Sequence, residues 1–468
     1  MIALLAAAAV VVGPTVQVSR SGAERAHEEV FLAAHPTDAR RLIGCSIVDH
    51  DRYAGEGMHV VGYTSEDGGG NWSRAVESSL QLGDPMCAYG PDGSAYFLGI
   101  NTDDEHWKDA VWWMEIFRSG DGGRTWGAGV RWPAGDRPYL AFGSSESTGP
   151  GIGYLVYSIR ARALDKPGPA KTVRDDSLPV LEVLRSADGW KTWNKTAVGV
   201  AVGPAFPTAS GAVVLSDGAL ATLWVKRSTK KNDAGEDVGQ DPHQELNLTR
   251  LEAGSEIFGR TVKIADVTAG NDYSATFFSL AGDATHGPFR DRLYAAWADT
   301  ATPRSRIFVS SSSDGGASWT APRAINGTDA GAAGAPAARD DYMPTVAVNR
   351  DGVVGATFRR RTRPDEDADV WFAFSSDGGR TWSDPVLAAA ARGPVAGGLA
   401  RATLRPGDDG KSPGSRSAQY FKGGDTSGLA ADADGVFHAL WADQRSGIGQ
   451  VYSATIRVGA PAPGKPSK

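Results

Sequence analysis

Five copies of one eight-residue pattern constrain this chain more than any other feature. Ser-x-Asp-Gly-x-x-(Thr/Ser/Asn)-Trp occurs at 65–72, 119–126, 186–193, 312–319 and 375–382. Its residue types share one physical use, a tight hairpin. Asp accepts backbone N–H groups of the turn it starts, Gly takes the positive φ that other residues avoid, and Ser or Thr adds a weaker bond. Trp adds a large apolar body with one N–H donor, which pins the hairpin to a neighbour. Such recurrence marks a repeat protein, in which each unit buries its faces against the next. That organisation evades the size limit which would otherwise divide 468 residues into separate cores.

The leading serines, Ser65, Ser119, Ser186, Ser312 and Ser375, lie 54, 67, 126 and 63 residues apart. The 126-residue interval spans two periods and predicts a degenerate copy at 249–258, where the Asp and the Trp are lost. A last unit without the pattern follows Trp382, which gives units at roughly 28–80, 81–133, 134–203, 204–268, 269–328, 338–392 and 420–458. The second unit reads as four short strands, with an Asp92-Gly93 turn after the first and the repeated pattern after the third. Asp-Gly turns recur at Asp217, Asp351 and Asp434.

The sequence therefore predicts an all-β fold, a β-propeller of four-stranded antiparallel blades. The repeat count gives seven blades; six follow if 204–268 is an insertion. The last unit shows three strands, and 14–19 reads as the N-terminal strand that completes it, closing the ring and removing two exposed sheet edges. Residues 1–13 form an apolar leader too short to span a bilayer, of the kind that directs export to the periplasm or medium. The propeller is then a single domain over 14–458, and the Pro/Gly/Lys-rich 459–468 a disordered tail.

Fifty-nine glycines and 14 tryptophans suit many short strands joined by tight turns. A net charge of −7 without a basic face excludes nucleic acid and anionic membrane as natural partners, and a monomer is expected. Cys45 and Cys87, the only cysteines, fall in adjacent units; one disulfide and two inert buried thiols both remain open. No Cys/His cluster has zinc-ligand spacing.

Antiparallel order sorts the residues into two faces. If the innermost strands start on the upper face, the repeated hairpins lie on the lower one. The strand starts then carry Asp84, Asp136-Arg137, Asp272-Tyr273, Asp340-Asp341-Tyr342 and Asp425 around the central shaft. These carboxylates either cap strand ends or line a cup for a polyol, a cation or acid–base chemistry. Crowding raises their pKa values, a route to an acid still protonated near neutrality. The long loops at 160–178 and 226–244 can overhang the shaft, and Arg359, Arg361, Arg416 and Arg445 are cations able to face it. His243 is a candidate proton shuttle or a solvated loop residue.

The repeated pattern resembles the Asp-box, or BNR, motif of the sialidase-type β-propellers, over residues 65–382. The resemblance implies that Asp67, Trp72, Asp121, Trp126, Asp188, Trp193, Asp314, Trp319, Asp377 and Trp382 are structural, on the rim away from the chemistry. It further implies a carbohydrate-active protein, a glycoside hydrolase with a glycan partner and no cofactor, a divalent cation at the acidic mouth being the alternative. That family grips a substrate carboxylate with three Arg, attacks with a Tyr assisted by Glu, and protonates with an early-loop Asp. Asp49 or Asp51 occupies the matching early loop, Arg416 followed by Tyr420 resembles the late Arg and Tyr, and Arg359 to Arg361 could supply another Arg.

The family's Phe-Arg-Ile-Pro signature is absent: 30–36 reads Val-Phe-Leu-Ala-Ala-His-Pro, without Arg. A ring of carboxylates also suits an anionic sugar poorly. The expected site takes Asp51 as acid and Tyr420 or Asp341 as nucleophile or base. Substrate contacts come from Asp84, Asp136, Arg137, Asp272, Tyr273, Tyr342, Arg359, Arg361, Arg416 and Asp425. A non-catalytic glycan- or protein-binding disc is the alternative, and a lyase using His243 a third reading.

Overall fold

The computed structural model describes residues 8–49, 58–101, 113–133, 135–143, 151–160, 179–198, 206–231, 237–269, 278–301, 305–327, 340–361, 368–390 and 423–461. They form seven antiparallel sheets arranged as the blades of a β-propeller, with a separate two-stranded ribbon of 229–231 and 237–240, and no α-helix occurs among them. In blades one to six the chain runs from the axis outward, over residues 27–77, 82–133, 136–198, 206–268, 278–324 and 340–389. Residues 206–268 are a full blade, which settles the count at seven. Its third and fourth strands meet in a plain turn with Gly254 at φ +76°, where the degenerate repeat was expected.

The seventh blade takes three strands from residues 428–461 and a fourth from the N-terminus. Ala8–Val12 pairs antiparallel with Gln450–Pro461 and forms the outer strand, while Val16–Gln17 pairs with the same strand further along. The closure was expected from 14–19 alone. Ala8–Val12, within the apolar run assigned to a leader, supplies its longer half, because Val10-Val11-Val12 is as good a strand as it is an apolar leader. The last strand likewise reaches Pro461, into the stretch expected to be a tail. Ser19 clamps the seam, donating to Gln450 Oε1 at 2.6 Å and accepting the Val451 N–H at 3.0 Å.

There is no single core. Each apolar cluster joins one blade to the next, so the buried surface is a ring of wedges. The wedge between blades one and two gathers Ile43, Cys45 and Val60 with Leu82, Cys87 and Phe97. Both cysteines are free thiols there, with Cys87 Sγ 3.4 Å from the Phe31 carbonyl oxygen.

Each repeated hairpin seats its tryptophan in the wedge shared with the preceding blade: Trp72, Trp126, Trp193, Trp319 and Trp382. Blades four and seven lack the pattern and fill the same place otherwise, with Phe258 and with Val10 and Val12. Within a hairpin the Asp binds the turn. Asp121 Oδ1 accepts Ser119 Oγ–H at 2.7 Å and the Thr125 N–H at 2.9 Å, and Oδ2 accepts Thr125 Oγ1–H at 2.7 Å. Asp67, Asp188, Asp314 and Asp377 repeat the scheme. These bonds, the Thr125 N–H foremost, hold the Asp121 carboxyl well below the usual carboxylate range.

Candidate functional site

The innermost strands share an irregularity at their upper ends. In blades one, two, three and six the pairing register slips between Glu28 and Val30, Gly83 and Met86, Asp136 and Tyr139, and Tyr342 and Thr345. The extra residue at each slip is in the left-handed region: Glu29 at φ +49°, Asp84 at +46°, Arg137 at +54° and Met343 at +55°. Proline follows three of the four, Pro85, Pro138 and Pro344, and removes an N–H that the bulge leaves without a ladder partner. A side chain in this conformation costs about 1–3 kcal/mol, and such strain gathers where function fixes the backbone. Three of these four strained residues are ionisable, and they stand in consecutive blades.

Asp425, just before the innermost strand of blade seven, completes the arc. Arg137 Nη2 forms an ion pair with Asp425 Oδ2, and the Arg137 backbone N–H donates to Asp84 Oδ2 at 3.2 Å. Glu29 N–H donates to the Gly423 carbonyl oxygen at 3.2 Å, which ties blade one to the same loop. The recess bounded by Glu29, Asp84, Arg137 and Asp425 is narrow, with a cavity volume of about 20 Å³. It adjoins the shaft, a cavity of about 170 Å³ that is partly open to solvent. Blades four to six give the shaft a different wall, with Gly211, Phe278, Leu280 and Met343. Phe31 and Tyr139 meet edge to face at 6.1 Å on the polar side. The mouth is thus charged over blades seven, one, two and three, and mostly apolar opposite.

Crowded burial changes the proton affinities. Burial pushes the Asp84 carboxyl up to about 8, with the Asp136 charge adding to it and Arg137 opposing. Burial also raises Glu29 well above the usual carboxyl range, reinforced by Asp425, Asp84 and Glu28. Tyr139 is pushed up to about 12 by burial and stays a hydroxyl donor. The mouth therefore holds carboxyls whose proton affinity burial has raised beside an ion-paired one, the combination acid–base chemistry needs. Among the described residues, no three His, Cys, Asp or Glu side chains are placed to share a metal ion.

Of the residues singled out from sequence, Asp84, Asp136, Arg137 and Asp425 come together at the mouth. Asp341 does not. It is fully buried, forked by Arg360 and bonded by Asn326 Nδ2 at 2.6 Å, so the catalytic role expected for it is corrected to a structural one. The strand start misled because the residue at the bulge of blade six is Met343, two positions later. Tyr342 is buried under the Arg361 guanidinium, 5.6 Å from the ring centre, and Arg359 donates to the Ala442 carbonyl oxygen at 2.9 Å between blades six and seven. Arg359, Arg361 and Arg137 thus serve different partners and do not share one cup. Arg445 is forked by Asp443, and His243 is exposed. Asp51, Asp272, Tyr273, Arg416 and Tyr420 lie outside the described residues.

Glu29 escaped the sequence reading, which sought Asp at the strand starts. Alignment on the bulge would have found it, since Glu29-Val30-Phe31 stands where Asp84-Pro85-Met86 does.

No family model matches the chain, and no curated protein matches it. Among solved structures it is similar to a protein of unknown function from Dyadobacter fermentans, at 12% identity and a TM-score of 0.48, covering 96% of this chain and 99% of that one. It is also similar to an alpha-L-arabinanase of Penicillium chrysogenum, at 11% identity and a TM-score of 0.43, covering 96% of this chain and 98% of that one. A third is the NanB sialidase of Streptococcus pneumoniae, at 8% identity and a TM-score of 0.45, covering 96% of this chain and 99% of that one.

Proposed function

We propose that the protein is a carbohydrate-active propeller, a glycoside hydrolase working at the axial mouth on an uncharged sugar. The observation that carries this reading is the placement of Asp84, whose proton affinity burial raises, beside the ion-paired Asp425 in one recess around Arg137. Asp84 gives its proton to the glycosidic oxygen as the bond to the anomeric carbon breaks. The Asp425 carboxylate takes a proton from water, whose oxygen bonds to that carbon. A mouth with one charged and one apolar side fits a sugar ring, which offers hydroxyls on its edge and C–H groups on its face. The predominance of carboxyls disfavours an anionic sugar, by repulsion in a poorly solvated site. The resemblance of the repeated hairpins to those of sialidase-type propellers agrees with a carbohydrate ligand.

The test is a panel of neutral and anionic aryl glycosides, with Asp84→Asn and Asp425→Asn as controls. Turnover of a neutral glycoside, reduced at least about 100-fold in Asp84→Asn, supports the reading. Absence of turnover on every glycoside overturns it. Saturable glycan binding without turnover would point to a non-catalytic binding module instead.

A further inference from the structure

Arg137 holds two members of the mouth through two different parts of itself. Its guanidinium reaches across to Asp425 in blade seven, and its backbone N–H points at Oδ2 of Asp84 in blade two. The second contact depends on the left-handed bulge, which turns this N–H out of the sheet ladder. Arg137 is largely buried, with a side chain 13% exposed, and Pro138 locks the turn behind it.

We infer that Arg137 is the positioning residue of the mouth: its guanidinium holds Asp425 in an ion pair while its N–H orients the carboxyl of Asp84. The inference rests on the acid–base reading of the site and deepens it. An N–H donated to Oδ2 leaves the proton of the Asp84 carboxyl to Oδ1, because an oxygen accepting that bond is the carbonyl-like one. Oδ1 is then the atom that delivers the proton. The guanidinium acts in the opposite electrostatic sense, since its positive charge restrains the proton affinity of both Asp84 and Glu29. The other ionisable groups around Asp84 are Asp136 on the same strand as Arg137, Glu29 with Glu28 in blade one, and Asp425 in blade seven.

The experiment titrates the protonated carboxyl C=O band by infrared spectroscopy in the full chain, without substrate, assigned by its loss in Asp84→Asn. Arg137→Gly relieves the left-handed strain, so it should fold while lacking the charge. Its Asp84 carboxyl should deprotonate about one pH unit or more above the wild type. Arg137→Lys, which keeps the charge, should bring the titration back toward the wild type. Arg137→Asn, tolerant of the same backbone conformation, serves as a second uncharged variant. If turnover is found, the basic limb of its kcat/KM profile should move with the infrared titration. Folded Gly and Asn variants whose Asp84 titrates as in the wild type overturn the inference. Lack of any turnover fails the hydrolase reading alone, because the infrared titration still decides the role of Arg137.

Discussion

Arg360 meets Asp341 in a two-point fork, with Nε 2.6 Å from Oδ1 and Nη2 2.8 Å from Oδ2. Asp341 is wholly buried, and the guanidinium lies over the Trp371 ring at 4.6 Å. Removing one partner leaves an uncompensated buried charge, which costs about 3–5 kcal/mol. Asp341→Leu should therefore lower stability by about that amount, and the double variant Asp341→Leu/Arg360→Met by clearly less. Urea unfolding of the three proteins measures both. A double variant as unstable as the single one would show that the fork is not what the buried charge depends on.

The carboxyls of the mouth make stability depend on pH in an unusual sense. An unfolded Asp titrates near 4, whereas Asp84 in the fold titrates at about 8, so the folded state binds the extra proton between those values. Stability contributed by the protonated Asp84 is complete at acid pH, declines as pH rises from about 4 and levels off above about 8. Asp84→Asn removes this loss. Relative to the wild type it should gain stability steadily from pH 4 to pH 8, read as the urea midpoint at four or five pH values. Parallel curves for the two proteins would refute the raised proton affinity.

Much of the fold was legible because its determinants are local. A Ser-x-Asp-Gly hairpin satisfies itself within eight residues, so five copies gave the period, and the Asp-Gly turns gave the strand count. The start of Ala8–Val12 as a strand was not legible, since three valines suit a leader and an outer strand equally and only their partner at 450–461 decides. At the mouth, the strand-start rule located Asp84, Asp136, Arg137 and Asp425 but could not place the bulge to within one residue. In blade six the bulge residue is Met343, two positions after Asp341, so the rule put Asp341 in the cup, and it left Glu29 out because it sought Asp.

Cys45 and Cys87 lie inside the wedge between blades one and two, and burial raises the Cys45 thiol well above its ordinary value. A buried, protonated thiol is a poor nucleophile. In reduced protein, neither should react with an aromatic disulfide reagent in the native state, and both should react at once in denaturant. Rapid labelling of folded protein would mean that this wedge opens.

Gly424 sits at φ +81° against blade one, where an added Cβ would lie 2.4 Å from Glu29 Cγ and 2.5 Å from its backbone N. Gly424→Ala must push Glu29 and the neighbouring Asp425 apart, in addition to paying the left-handed penalty. It should destabilise the protein by more than about 1 kcal/mol and alter the pH at which the mouth carboxyls titrate. An unchanged infrared titration in this variant would show that the Gly423-Gly424 loop does not set the spacing of the acids.

The repeated hairpins couple a polar and an apolar device. Asp121 holds the turn, and the turn presents Trp126 to the wedge between blades one and two, edge-on to Phe97 with ring centres 6.2 Å apart. Trp126→Ala should cost about 2–3 kcal/mol, below the range for a fully buried aromatic because the ring is only half-buried. Asp121→Ala should cost about 1–2 kcal/mol, since its bonds lie largely in solvent. If the Asp acts by seating the Trp, the double variant loses less than the sum, because a ring already removed cannot be unseated. Independent devices would instead add to within about 0.5 kcal/mol. The double-mutant cycle, measured by urea unfolding, therefore distinguishes a hairpin that braces itself from one that braces the ring of blades.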